Sequence, residues 1–117
     1  MKATLQPGLE GRTRHVVTAE LGTGHSKHVV LSTPSMIGLI ELACKGVVEP
    51  HLEATEATVG THVCVSHERA ALKGDQIDVL CRLREMAGRR LKFDVEVEGP
   101  AGRISVGTHE RAVTLIR

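Results

Sequence analysis

Ser32-Thr-Pro-Ser-Met-Ile-Gly-Leu-Ile-Glu-Leu-Ala-Cys-Lys-Gly-Val-Val48 is the stretch on which the fold turns, because it reads as a helix in a chain otherwise patterned for strands. Ser32-Thr33-Pro34 offers a hydroxyl residue at the N-cap and a proline at the start of the helix, followed by good helix formers. The pattern predicts a helix to Val48 or Glu49 that stops at Pro50. Met36, Ile37, Leu39, Ile40, Leu42, Ala43, Cys44, Val47 and Val48 leave it little polar face, so a buried helix is expected. Glu41 stands alone in that apolar run. A charge buried without partners is costly. Glu41 is therefore either a structural carboxylate bonded to backbone or to a basic residue, or a group beside a pocket.

Outside the helix the pattern has period two. Arg12–Glu20 reads as a strand, Leu21-Gly-Thr-Gly-His25 as a turn, and Lys27–Leu31 as a second short strand. After the helix, Ala57–Leu72 is a long strand candidate and Gln76–Met86 another, with Ile77, Val79, Cys81 and Leu83 on one face. Arg89–Glu98 sets Leu91, Phe93, Val95 and Val97 against Arg90, Lys92, Asp94, Glu96 and Glu98, and Ile104–Ile116 closes the series. Such a meander covers its apolar face with the helix available to it. The expected architecture is α+β: a hotdog fold, a curved antiparallel sheet wrapped around one long central helix. Residues 1–117 are read as a single domain. A lone layer pair of this size leaves an edge or a face bare, so a homodimer or a higher oligomer is expected.

Composition removes several classes. With 15 Lys+Arg against 14 Asp+Glu there is no overall field to attract nucleic acid, and Phe93 is the single aromatic residue, too few for base stacking. Cys44, Cys64 and Cys81 are odd in number and far apart, which argues against a disulfide framework and a Cys-x-x-Cys metal site. They are expected to be small core residues in a reducing compartment. His62, His67 and His109 form no ligand pair at helical spacing, so no metal is expected. The first ten residues lack an apolar h-region and no run is long enough to span a bilayer, which points to a cytoplasmic protein without a membrane partner.

Strand parity supplies candidate partners for Glu41. Thr61, Val63, Val65 and His67 share one face of a strand, and its two valines mark it as the inner one, so His67 is expected to point toward the helix carrying Glu41. Thr33 lies eight positions before Glu41, about 12 Å along a helix. Direct contact between those two is not expected, although one extended substrate can touch both. Thr33 reads as an N-cap, as a substrate hydroxyl, or as both. A carboxylate beside an imidazole in a dry pocket is a way to obtain a base or nucleophile at neutral pH. Gly60 lies within a strand pattern, where glycine marks a bulge or a close ligand approach, and the N–H groups at Gly60 and Thr61 are candidate oxyanion donors. His109 and Arg111 are read as sheet surface or pocket rim, and Arg89, Arg90 and Lys92 as a solvated basic edge, with contact to phosphates as the alternative.

Four segments carry a family resemblance: Ser32-Thr-Pro-Ser-Met-Ile-Gly-Leu-Ile-Glu-Leu-Ala-Cys44, Val59-Gly-Thr-His-Val-Cys-Val-Ser-His67, Gly88-Arg-Arg-Leu91 and Gly107-Thr-His-Glu-Arg-Ala-Val113. In order and spacing they resemble the fluoroacetyl-CoA thioesterase-like branch of the hotdog-fold thioesterases. The resemblance implies a dimer that hydrolyses acyl-CoA thioesters with neither metal nor cofactor beyond the CoA of the substrate. It places the family's threonine, glutamate and histidine on Thr33, Glu41 and His67, and the glycine facing the thioester carbonyl on Gly60. The chain departs from the family in two places. Leu21–Leu31 is short and lacks the aromatic residue of the family's acyl lid, and Pro34 replaces a glycine. The implied activity is therefore acyl-CoA hydrolysis, with fluoroacetate resistance not carried over. A non-catalytic acyl-CoA binder is the alternative; a hydratase or dehydratase on this fold lacks its expected acid/base motif here.

Overall fold

The computed structural model describes residues 1–23 and 28–116. Its elements are β1 (Glu10–Val16), α1 (Thr33–Val48), β2 (Glu56–Val65), β3 (Gln76–Ala87), β4 (Arg90–Gly99) and β5 (Gly102–Leu115), with single 3-10 turns at Ala19–Leu21 and Glu49–His51. The strands form one antiparallel sheet in the order β1-β3-β4-β5-β2. The late strands make a meander, while β2, which precedes them in the chain, docks on the far side of β5. The two outermost strands are thus β1 and β2.

The helix begins and ends where its sequence directs. Ser32 caps it, accepting a hydrogen bond from Ser35 N at 3.2 Å, and the chain turns at Glu49–His51 around Pro50. Met36, Ile40, Cys44 and Val48 recur at helical spacing and are fully buried. They meet the inner row of the sheet, in which Ile77, Val79, Leu83, Phe93 and Val97 are equally buried. The alternation in β4 is the plainest case: Leu91, Phe93, Val95 and Val97 face the helix, and the charged residues between them face outward. Gly88 turns β3 into β4 with φ +60°, a conformation that suits glycine.

Three strand expectations need correction. The first strand starts and ends earlier than Arg12–Glu20, because the chain leaves the sheet after Val16. The long strand Ala57–Leu72 stops at Val65. There the Ser66 hydroxyl accepts from Val106 N at 3.1 Å in place of a main-chain carbonyl, and the ladder loosens. The second short strand, Lys27–Leu31, is reduced to isolated bridges, Val30 with Leu72 and Leu31 with Gly22; Lys27 itself lies outside the described residues, as do Gly24 and His25 of the expected turn. Of the cysteines, Cys44 and Cys81 are buried as expected, whereas Cys64 is exposed on β2. Among the described residues no helix is long and apolar enough to cross a membrane.

Candidate functional site

Glu41 projects from the middle of α1 toward the β2–β5 pair. The strands are irregular at that point. Gly60 pairs with Arg111 and His62 with Glu110, so Thr61 is an extra residue left out of the ladder. The bulge expected from Gly60 is present. A methyl carbon placed on Gly60 would lie 3.3 Å from Glu41 Oε1, 3.3 Å from His109 Cε1 and 3.4 Å from Arg111 Nη1. Three polar side chains thus converge over a bare Cα, and any larger residue would take the space between them.

Arg111 and His109 form the floor. Both are buried, which corrects their reading as surface or rim. Arg111 Nε donates to Thr58 Oγ1 at 2.8 Å and Nη2 to the Thr58 carbonyl at 3.0 Å. His109 Nδ1 lies 2.8 Å from the His62 carbonyl and its Nε2 lies 3.1 Å from Arg111 Nη1. Because a carbonyl only accepts and a guanidinium only donates, the network assigns the proton to Nδ1 and leaves Nε2 as acceptor, a neutral ring. The electrostatics agree: burial pushes His109 below its ordinary value, and the neighbouring Arg111 adds to this against the pull of the His62 carbonyl and Glu41. Burial likewise lowers Arg111, while Glu41 and Cys44 raise it. Among the described residues no hydrogen bond or ion pair holds the Glu41 carboxylate. The Cys44 thiol, one turn further along α1, is pushed strongly up by its hydrogen bond with Cys81 and by burial, so it stays protonated and is a poor nucleophile.

Thr33 and His67 form a second group. Since Ser32 is the cap, Thr33 is the first helical residue and its hydroxyl is free for other work, a correction to its reading as N-cap. Thr33 Oγ1 lies 2.8 Å from His67 Nδ1. His67 follows the end of β2 on the inner parity, as Val63 and Val65 do. It therefore reaches the helix as expected, but meets its first turn and not Glu41.

The two groups stand apart within one chain. Along β2, Gly60 and His67 are separated by about 20 Å at about 3.4 Å per residue, allowing for the bulge. Thr33 and Glu41 are about 12 Å apart along α1. The structure brings together Glu41, Gly60, His109 and Arg111 at one place and Thr33 with His67 at another. Parity carried the information that was missed: His109 and Arg111 share a face with buried Val113, but a histidine and an arginine do not read as core. Among the described residues no group of three or more His, Cys, Asp or Glu side chains is placed to hold a metal ion.

Comparison with known proteins gives a consistent result. The family model described as "Fluoroacetyl-CoA-specific thioesterase" matches residues 13–115. The fluoroacetyl-CoA thioesterase of Streptantibioticus cattleyicolor is 42% identical over 84 residues, which is 72% of this chain and 60% of that protein, so the match spans less than two thirds of the relative. A solved structure of a fluoroacetyl-CoA thioesterase superposes with a TM-score of 0.89 at 33% identity, covering 96% of this chain and 90% of the other. A thioesterase superfamily member from Thermus thermophilus superposes with a TM-score of 0.87 at 29% identity, covering 97% and 86%. A hot-dog-like protein from Thermanaerovibrio acidaminovorans, 20% identical with a TM-score of 0.85 over 93% and 83% of the two chains, shares the fold. The curled antiparallel sheet around one long helix is a hotdog fold.

Proposed function

The chain belongs to the fluoroacetyl-CoA-specific thioesterase family, and on that premise we propose that it hydrolyses an acyl-CoA thioester to the free acid and CoA. The observation that carries the reading is the Glu41 carboxylate, which makes no hydrogen bond or ion pair among the described residues and lies over the bare Cα of Gly60 beside a strand bulge. A thioester carbonyl seated there has an electron-pair donor on one side and the bulge amides of Gly60 and Thr61 on the other. Glu41 supplies the electron pair, either through a water it deprotonates or directly, expelling the CoA thiolate and leaving an acyl–Glu41 anhydride that water then hydrolyses, and the amides stabilise the oxyanion. Arg111 keeps a positive charge under the developing negative one. Thr33 and His67 orient the substrate, and the proton given up by the water ends on the leaving thiolate.

For these two groups to act on one carbonyl, the enzyme has to work as a homodimer. Of the two edge strands, β1 carries Glu10, Arg12 and Arg14 and is guarded by charge, whereas β2 from Ala57 to Val65 has His62 as its one ionisable residue besides Cys64 and exposes Val59. Antiparallel pairing of β2 with its own copy about a two-fold axis at Cys64 sets Val63 opposite Val65 of the partner subunit. Because the bulge skips Thr61, Gly60 then falls opposite His67 of the partner subunit, and both lie on the inner face. Each active site so built uses Glu41, Gly60 and Arg111 of one subunit with Thr33 and His67 of the partner subunit.

A thiol-release assay over acyl-CoAs from acetyl to long-chain and aromatic tests the activity and reads out the acyl preference. Turnover on at least one ester is expected, with Glu41→Gln removing most of it and leaving the fold intact. Binding of esters without release of thiol, or an unchanged rate in the variant, would refute the assignment.

A further inference from the structure

One buried polar atom among the described residues has no hydrogen-bond partner, the Ser105 hydroxyl. Ser105 is fully buried on β5, on the inner face that it shares with His109 and Arg111. Val97 lies opposite it on β4. On its other side the ladder between β5 and the chain after β2 continues past the last regular pair: Ser66 N donates to the Val106 carbonyl at 3.0 Å and Glu68 N to the Ile104 carbonyl at 2.7 Å. Those two bonds flank His67 and Ser105 and set them directly opposite one another. Their side chains share the inner face, since Val65 and Gly107 are the preceding inner pair. Facing positions between two such bonds hold their Cβ atoms about 4.5–5.5 Å apart. The orphan hydroxyl therefore stands beside the imidazole whose Nδ1 meets Thr33.

We propose that Ser105 is a positioning residue for His67, its hydroxyl oxygen accepting the hydrogen bond of Nε2–H and so fixing the ring in the tautomer whose Nδ1 accepts from the Thr33 hydroxyl. A buried hydroxyl without a partner is destabilising, and a histidine with one bonded nitrogen has two tautomers open to it. A single bond between the two resolves both. The charged groups nearby do not compete for that nitrogen: Glu68 is engaged by Ser66 and by Arg103, and Arg69 packs over Gly102 at the β4–β5 turn. The role of His67 in turnover rests on the proposed thioesterase reading; the assignment of its tautomer does not.

The test uses Ser105→Ala and, as a near-isosteric second variant, Ser105→Cys, in the full chain. In the free protein, long-range proton–nitrogen NMR correlations of His67, assigned with His67→Gln, report the tautomer. The Nε2–H form is expected to dominate in the wild type and to give way to a mixture in both variants. In the thiol-release assay kcat is expected to fall about tenfold with KM within about twofold. The melting temperature of Ser105→Ala is expected to fall, since the buried hydrogen bond to His67 is removed. An unchanged tautomer ratio in both variants would overturn the proposal, as would an unchanged kcat in an active enzyme. If the wild type releases no thiol from any ester, the thioesterase reading fails while the NMR comparison still decides the assignment of Ser105.

Discussion

Mixed dimers distinguish a site shared between subunits from one built within a chain. Glu41→Gln disables the Gly60 end and His67→Ala the Thr33 end, and each homodimer is expected to lose about 100-fold or more in kcat. The two ends lie about 20 Å apart along β2 in one subunit, too far for a single thioester carbonyl to touch both. Co-expressing the variants in equal amounts gives about half heterodimers. In each heterodimer one of the two shared sites has both ends intact, so thiol release is expected to recover to about a quarter of the wild-type rate. Mixing wild type with the double variant Glu41→Gln/His67→Ala is the converse experiment. Every heterodimer then has two broken sites, and activity should fall to about a quarter, not the about half expected of sites contained in single chains. A mixture of single variants no more active than its parents, with about half of the activity kept in the converse mixture, would refute the shared site.

Three further outcomes follow from the same geometry. Oxidative cross-linking with a mild thiol oxidant should give a covalent dimer on non-reducing gels that is lost in Cys64→Ser, since a two-fold at Cys64 brings that exposed residue opposite its own copy; a persistently monomeric band would exclude this register. Gly60→Ala puts a methyl 3.3 Å from Glu41 Oε1, and the flexible carboxylate can yield while the fold stands, so kcat should fall about tenfold or more with little change in melting temperature; full activity would show that the gap over Gly60 is not used. Burial and the adjacent Arg111 depress His109, so the folded protein binds its proton less readily than the unfolded chain. Its contribution to stability is then complete above the unfolded value of about 6.5 and is lost as pH falls through that value toward the lower folded one. Urea denaturation at about pH 7.5 and about pH 5.5 should show this loss, with a smaller difference in His109→Gln; equal differences in the two proteins would refute the neutral ring.

The helix, its caps and the alternating strands are local properties, and Thr33–Val48, Gln76–Ala87 and Arg90–Gly99 lie within a residue or so of where spacing and turn chemistry put them. Strand ends were less legible where a side chain takes over a ladder bond, as Ser66 does at Val106. Glu41, Gly60 and His67 could be singled out as candidates because a lone carboxylate, a strand glycine and an inward histidine are each anomalous against their neighbours, whereas Thr33 was marked by its place at the helix start and by the family resemblance. Arg111 and His109 could not, since on β5 they occupy positions where polarity alone argues for the surface.

By itself the sequence determined one helix buried against an antiparallel meander, because hydrophobic period and capping act over a few residues at a time. The order β1-β3-β4-β5-β2, the bulge that drops Thr61 from the ladder, and the release of Thr33 from the cap to His67 were decided only by the tertiary structure. Those features depend on contacts between segments far apart in the chain, such as Glu10 with Arg82, Gly60 with Arg111 and Thr33 with His67, which no local pattern encodes. The same contacts put Glu41 beside Gly60 in the middle of β2 and His67 beyond its end, beside Thr33, and so separated a pair expected to meet within the chain.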